Sequence, residues 1–381
     1  MNNGPLSTLQ VVELAGLGPA PFCGMVLADL GANVIKVDRV SDVIGGHSPS
    51  SRYDLLDRGK RSMGLNLKSG EGVEIALQLI SGFDVLIEGF RPGVAEKLGI
   101  GPAESLAVNT RLVYGRMTGW GQDGPYASMA GHDIDYIALS GALHPVGGAD
   151  HPIPPLNLVG DFGGGGMLLA LGVVSAVLHA RETGIGQVID AAMVDGSALL
   201  TTMQHGMMAS GTWQPQRESN LLDGAAPFYT TYETSDGEHV AVGALEPQFF
   251  AALLDGLELE PTELPNRLDR EGWPALREAL AKRFIQRTRD EWDQHFAGTD
   301  ACVAPVLSLM EASSHPHNVA RGGFVELDGV SQPGPAPRFS ETAASLSGPP
   351  AAPGADTELI MASLGYSPSQ IGMLRTSGTI A

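Results

Sequence analysis

Residues 9–39 constrain the chain most. LQVVELA (Leu9 to Ala15) is a mostly apolar run of strand length, PFCGMVLADLG (Pro21 to Gly31) has helical spacing and closes on glycine, and NVIKVDR (Asn33 to Arg39) is apolar again. A strand, helix and strand within about thirty residues leave room for one arrangement, a parallel pair joined by a crossover helix. Such a unit needs both sheet faces covered, so it predicts a layered α/β domain.

The pattern continues. GEGVEIALQLISGFDVLIEGF supplies a helix and then a strand at Val85 to Glu88, Arg111 to Met117 reads as a further strand, and Met167 to His179 as a long apolar helix entered through Gly163 to Gly166. From about Leu222 the texture changes: FYTTYETSDGEHVAVGAL predicts a β-hairpin turning at Ser235 to Gly237, followed by amphipathic helices in PQFFAALLDGL, WPALREALAKRF and RDEWDQHFAG. Gln332 to Ala355 is rich in Pro, Ala and Ser and reads as a loop returning over the main domain. The division expected is a large domain over 1–200, a linker helix over 201–221, a small α+β domain over 222–320, and a C-terminal return over 321–381.

A formal charge of -20 repels nucleic acid and acidic membranes. Lys36, Arg39, Arg58, Lys60, Arg61, Lys68, Arg91 and Lys97 nevertheless gather in the first hundred residues. In so acidic a chain this cluster is either a solvated face or a seat for a small polyanion such as coenzyme A. Two cysteines, Cys23 and Cys302, make no disulfide framework or CxxC site. No signal peptide is read in MNNGPLSTLQ, no SKL address in the final GTIA, and no apolar run is read as approaching the ~20 residues of a membrane span. The expectation is a cytoplasmic enzyme without membrane insertion.

Several cofactor signatures fail. The GLG at Gly16 to Gly18 meets Pro21 where a dinucleotide fingerprint needs glycine; RGKRS (Arg58 to Ser62) is no phosphate loop; there is no GxSxG; and His315 and His317 lack a third metal ligand. No metal site is expected.

Three constellations remain. In NLVGDFGGGGM, Asp161 is either a helix cap or a carboxylate beside an anion site, and the four glycines favour close approach of a ligand to a helix N-terminus. In GHDIDYIALSG, His132 stands at a probable helix start, as a capping group or an acid-base residue. In VAVGALEPQF, Glu246 precedes Pro247 as a helix-start carboxylate or a functional one. Met193, Met203, Met207 and Met208 are either core or a deformable surface for acyl chains, with core favoured.

LSTLQVVELAGLGPAPFCGMVLADLGANVIKVDR, RGKRS with LNLKSGEG, LIEGFRPGV, RMTGWGQDGP, GHDIDYIALSG, GDFGGGG, TGIGQVIDAAMVDG and LGYSPSQI together resemble the class III CoA-transferase superfamily. His132, Asp161 and Glu246 in their motifs resemble its 2-methylacyl-CoA racemase branch, whereas transferases of the family use the aspartate matching Asp161 as an acyl-accepting nucleophile and typically lack the histidine.

The resemblance implies a Rossmann-like large domain with a smaller α+β domain, in an interlocked homodimer where Glu246 of one subunit reaches His132 of the other. It implies Arg39 against adenine, Leu65, Asn66, Leu67 and Lys68 with Gly89, Phe90 and Arg91 along the nucleotide, and Lys97 near phosphate. Gly131, Asp133, Ile134, Asp135 and Tyr136 would surround the thioester. Lys36, Arg58, Lys60 and Arg61 match basic positions nearby. The activity implied is interconversion of 2R and 2S 2-methylacyl-CoA thioesters by His132 and Asp161 through an enolate held by backbone N–H groups at the Asp161 helix start. No cofactor is implied, coenzyme A being part of the substrate. The alternative is CoA transfer between carboxylic acids with Asp161 as nucleophile.

Overall fold

The computed structural model describes residues 4–45 and 51–381, so Met1 to Asn3 of the N-terminal stretch read above lie outside the described residues. The chain forms two compact units, one of Met1–Ser140, Leu156–Leu200 and Pro316–Ala381, the other of Gly141–Pro155 and Thr201–His315.

The first unit is built on a six-stranded parallel sheet of β1 (Gln10–Leu14), β2 (Asn33–Asp38), β3 (Arg61–Gly64), β4 (Val85–Glu88), β5 (Val113–Thr118) and β6 (Gln187–Ala192). Its order is β3-β2-β1-β4-β5-β6. Winding runs outward one way from β1 to β3 and the other way from β4 to β6. The switch between β1 and β4 is therefore where a doubly wound sheet opens a crevice at the carboxyl ends of its strands.

Alternation along the strands explains the two covering layers. Val11, Val34, Val85, Ile87 and Val113 point into one core with α1 (Pro19–Asp29). Their neighbours Val12, Ile35, Leu86 and Tyr114 point into another, with Ile75, Leu79 and Ile80 of the β3–β4 crossover helix Gly70–Ser81. The second core also takes Ile360, Met361, Ile371 and Ile380 from the C-terminal return.

One helical run differs from expectation. The apolar helix does not begin at Met167: a π-helix over Leu158–Met167 passes directly into an α-helix over Leu168–Thr183. At 26 residues this run is, by length and composition, apolar enough to cross a membrane, contrary to the sequence reading. Here Leu169, Val173, Ala176, Val177 and Ala180 are buried in the sheet core, while Met167, Leu171, Val174 and Leu178 line the exposed side.

The glycines lie inside the helix, not before it. Gly164 packs on the backbone of helix Met193–Leu200, where an added Cβ would stand 2.6 Å from Ser197 N, and Gly166 packs on α1, 2.7 Å from Pro19 O on the same basis. Close packing of three helices, rather than ligand approach, is what these positions require.

In the second unit, β7 (Tyr229–Glu233), β8 (His239–Gly243) and β9 (Val303–Pro305) form an antiparallel sheet, with Gly237 at φ 79° in the expected hairpin turn. Phe228, Tyr232, Leu276, Phe284 and Trp292 fill its core. The stretch expected as a linker, 201–221, belongs to this unit together with 141–155. Hydrogen bonds join the two stretches: Ala149 N–H to Glu218 Oε2 at 3.1 Å, and Arg217 Nε to Gly148 O at 3.0 Å. The return to the first unit starts at Pro316. Gln332 and Pro333, expected in a loop, close the hairpin of β10 (Phe324–Leu327) and β11 (Val330–Pro333); no strand or helix follows until Thr357.

Candidate active site

Two clefts lie along the carboxyl edge of the parallel sheet. The first, of about 540 Å3, is lined by Leu17 and Gly18 after β1, Gly89 to Arg91 after β4, Gly119 and Trp120 after β5, and Met193 after β6, together with Gly131, His132, Tyr136, Asn157 and Asp161. The second, of about 690 Å3, is lined by Ala15 after β1, Arg39 after β2, Leu65 to Lys68 after β3, and Phe90. Phe90 is a wall of both.

His132 is exposed and occupies the N-cap position of helix Asp133–Leu139, where it pairs with Asp135 in a capping box. Asp135 Oδ2 accepts the His132 N–H at 2.9 Å, which fixes the backbone while leaving the imidazole to the cleft. Asp133, one residue on, is buried, and its Oδ1 accepts the Asp161 N–H at 2.6 Å. The GHD and GDF motifs, 28 residues apart, are thereby locked together. The Asp161 N–H itself is thereby engaged and is not among the helix-start donors open to an enolate oxygen.

Asp161 is half-buried in the first turn of the π-helix. Asn157 Nδ2 donates to its Oδ2 at 3.2 Å, and Gly18, at φ 69°, lies against the same carboxylate, where a side chain would crowd it. Burial pushes the Asp161 carboxyl above its ordinary value; the nearby Asp133 charge acts the same way, while the Asn157 amide and His132 oppose it. Such a carboxyl can both take up and return a proton nearer neutrality. Tyr136 donates its hydroxyl to Gly131 O and packs edge-on to Trp120 at 4.7 Å; burial, with Asp161 adding, pushes it up to about 12, so it stays a neutral phenol.

The other expected site residues distribute unevenly. Ile134 and Asp135 are exposed and line neither cleft, as is also true of Lys97. Glu246 lies in the second unit, exposed at the N-cap position of helix Pro247–Gly256, with no side-chain cap bond.

The basic cluster splits. Lys36 pairs with Asp57 at 2.5 Å, Arg58 with Asp29 at 2.5 Å, Lys60 with Glu13 at 2.7 Å, and Arg61 with Asp356 at 3.8 Å. Lys36, Arg58 and Lys60 are thus neutralised in close, largely buried pairs, whereas Arg61, with its partner farther off, stays partly exposed. Arg39, Lys68, Arg91 and Lys97 are exposed and have no carboxylate partner among the described residues. Of the methionines, Met193 is core, whereas Met203 and Met208 are exposed.

Sequence reasoning missed Leu17, Gly18 and Asn157 as parts of the site. The signal for Gly18 was available: GLG follows a strand directly, and its failure as a dinucleotide fingerprint left its position at the crevice unused.

A family model described as CoA-transferase family III matches residues 6–357. The chain belongs to CoA-transferase family III. Its relatives include the mouse alpha-methylacyl-CoA racemase, 48% identical over 342 residues covering 89% of this chain and 87% of that one. The human alpha-methylacyl-CoA racemase is 46% identical over 382 residues, covering 98% and 97%. Among solved structures, a CAIB/BAIF family protein from Brucella suis aligns with a TM-score of 0.82 at 28% identity, over 95% of this chain and all of that one. Within the family's fold, the two clefts at the sheet switch hold twelve of the expected site residues, His132 and Asp161 among them.

Proposed function

We propose that this family III protein is a 2-methylacyl-CoA racemase, interconverting the 2R and 2S thioesters through a planar enolate. The observation that carries the reading is that His132 and Asp161 line one cleft. Similarity to named alpha-methylacyl-CoA racemases over most of the chain supports it.

Racemisation needs a base on one face of the α-carbon and an acid on the other. In this reading His132 serves one face and Asp161 the other: one removes the α-proton from its face, and the other, already protonated, delivers a different proton to the opposite face. Asn157 and Gly18 hold the Asp161 carboxylate in place, and the bond from Asp133 holds its backbone. The thioester delocalises the carbanion, so the reading calls for no resident cofactor or metal. Arg39, Lys68, Arg91 and Lys97 are the cations left to meet a nucleotide and its phosphates.

A homodimer belongs to the same proposal. Met167, Leu171, Val174 and Leu178 recur at helical spacing on the exposed side of one long helix, an apolar stripe suited to a second copy.

The test is incubation of one 2-methylacyl-CoA epimer in D2O without an acceptor acid, followed by mass spectrometry and chiral separation. The expected result is α-deuterium uptake with loss of chirality. No exchange, with acyl transfer only when a carboxylic acid is added, would overturn the proposal in favour of CoA transfer with Asp161 as nucleophile.

A further inference from the structure

Glu88 ends β4 and is fully buried although it carries a carboxylate. Both oxygens are committed: Oε2 accepts the Phe90 N–H at 2.6 Å, and Oε1 accepts Arg116 Nε at 2.9 Å. Arg116 stands opposite Glu88 in the β4–β5 register, and the rest of its guanidinium forks onto Glu96, Nη1 to Oε1 at 2.9 Å and Nη2 to Oε2 at 3.3 Å. One cation anchored in the sheet thus holds the residue before the Gly89–Arg91 turn and the short helix Val94–Lys97 after it. Glu88, Arg116 and Glu96 line neither cleft, but Phe90, whose N–H they fix, lines both. Hydrophobic residues could fill this position in a sheet without the desolvation that buried charges demand, so packing alone does not account for the triad.

We propose that Glu88, Arg116 and Glu96 are positioning residues that set the Gly89–Arg91 turn, and through it the affinity for the nucleotide half of an acyl-CoA; this rests on the function proposed above. Phe90 N–H and Arg116 Nε bond to different oxygens of Glu88, and in Glu88→Gln one of these positions becomes an NH2 donor, so one of the two loses its acceptor. The turn loosens while His132 and Asp161, held by Asp135 and Asp133, stay in place.

The experiment compares α-proton exchange on a 2-methylacyl-CoA and on the same acyl group carried by pantetheine, which lacks the nucleotide. Glu88→Gln is expected to raise KM for the CoA substrate about tenfold with kcat within about twofold, and to leave both constants unchanged on the pantetheine substrate. Glu96→Gln, at the half-exposed end of the fork, is expected to shift KM the same way by about threefold, and it carries the test if Glu88→Gln does not fold by circular dichroism. Unchanged KM for the CoA substrate in the folded variants, or equal losses on both substrates, overturns the proposal. Calorimetric binding of acetyl-CoA to the same proteins separates the two readings. Without exchange by the unmodified enzyme the racemase reading fails, while weakened acetyl-CoA binding by the variants still supports the brace and unchanged binding still refutes it.

Discussion

Replacing Gly164 by alanine distinguishes the two roles a glycine run can have beside a candidate catalytic carboxylate. The added Cβ would lie 2.6 Å from Ser197 N and 2.8 Å from Gly196 C, both backbone atoms of the neighbouring helix. Neither can rotate away, so the helices must part by roughly 1 Å to reach ordinary contact near 3.5 Å. Overpacking of this kind costs about 1–3 kcal/mol, partly offset by the ~1 kcal/mol that alanine gains over glycine in a helix. Asp161 lies one turn upstream on the same helical run, and a displacement on the order of 1 Å can lower a reaction rate ~100-fold. Denaturant titration together with the D2O exchange assay should therefore show Gly164→Ala losing both stability and kcat. Gly206→Ala provides the comparison, because nothing lies within 4 Å of its added Cβ and its helix should gain up to ~1 kcal/mol. If Gly164→Ala instead became more stable and lost activity only through KM, the glycine would be serving ligand approach and the packing argument would fall.

Three further outcomes follow from the site. His132→Ala and Asp161→Asn should each slow α-proton exchange by roughly 100- to 10,000-fold without loss of helical signal, and Glu246→Gln by less; unchanged exchange in His132→Ala would point to acyl transfer. Asp133→Asn keeps an oxygen for the Asp161 N–H but removes a charge that helps raise the Asp161 carboxyl. The acid limb of kcat/KM in the direction where Asp161 is the base should then move to lower pH, and an unmoved limb would show that Asp133 acts through position alone. Arg58→Gln strands buried Asp29 and should cost about 3–5 kcal/mol in denaturant titration, whereas Arg39→Gln should leave stability intact and raise KM for the CoA substrate about tenfold; the reverse pattern would contradict the division of the basic cluster.

What could be read from the residues followed the strength of each local signal. β1, β2, β4 and β5 are apolar runs bounded by turns, and they were legible. β3 (Arg61–Gly64) was not, because four residues, the first a cation and closely preceded by Arg58 and Lys60, carry little periodicity. Nor was β6 (Gln187–Ala192), an edge strand whose first residues are largely exposed. The glycine run misled because helix propensity is a weak term beside helix packing, and packing partners such as Ser197 lie more than thirty residues away. Charge counting found the basic cluster but could not divide it, since the carboxylates that neutralise it lie on other elements, from Glu13 to Asp356. His132 and Asp161 were legible as chemistry; the bond from Asp133 that joins their motifs needed three dimensions.

The C-terminal return has a consequence for how the protein is made. Leu65 and Asn66, walls of the second cleft, are held by a bridge from Leu65 to Ile380 and by the Asn66 N–H on Thr379 O at 2.9 Å, and the Gly64 N–H donates to Thr357 Oγ1 at 3.0 Å. During synthesis the chain emerges N-terminus first, so this wall waits for more than three hundred further residues before its partners exist. A growing chain can assemble much of the sheet early, yet this wall of the second cleft is completed only once residues 357–380 have been made. On the function proposed above, capture of coenzyme A by a half-made polypeptide is thereby disfavoured.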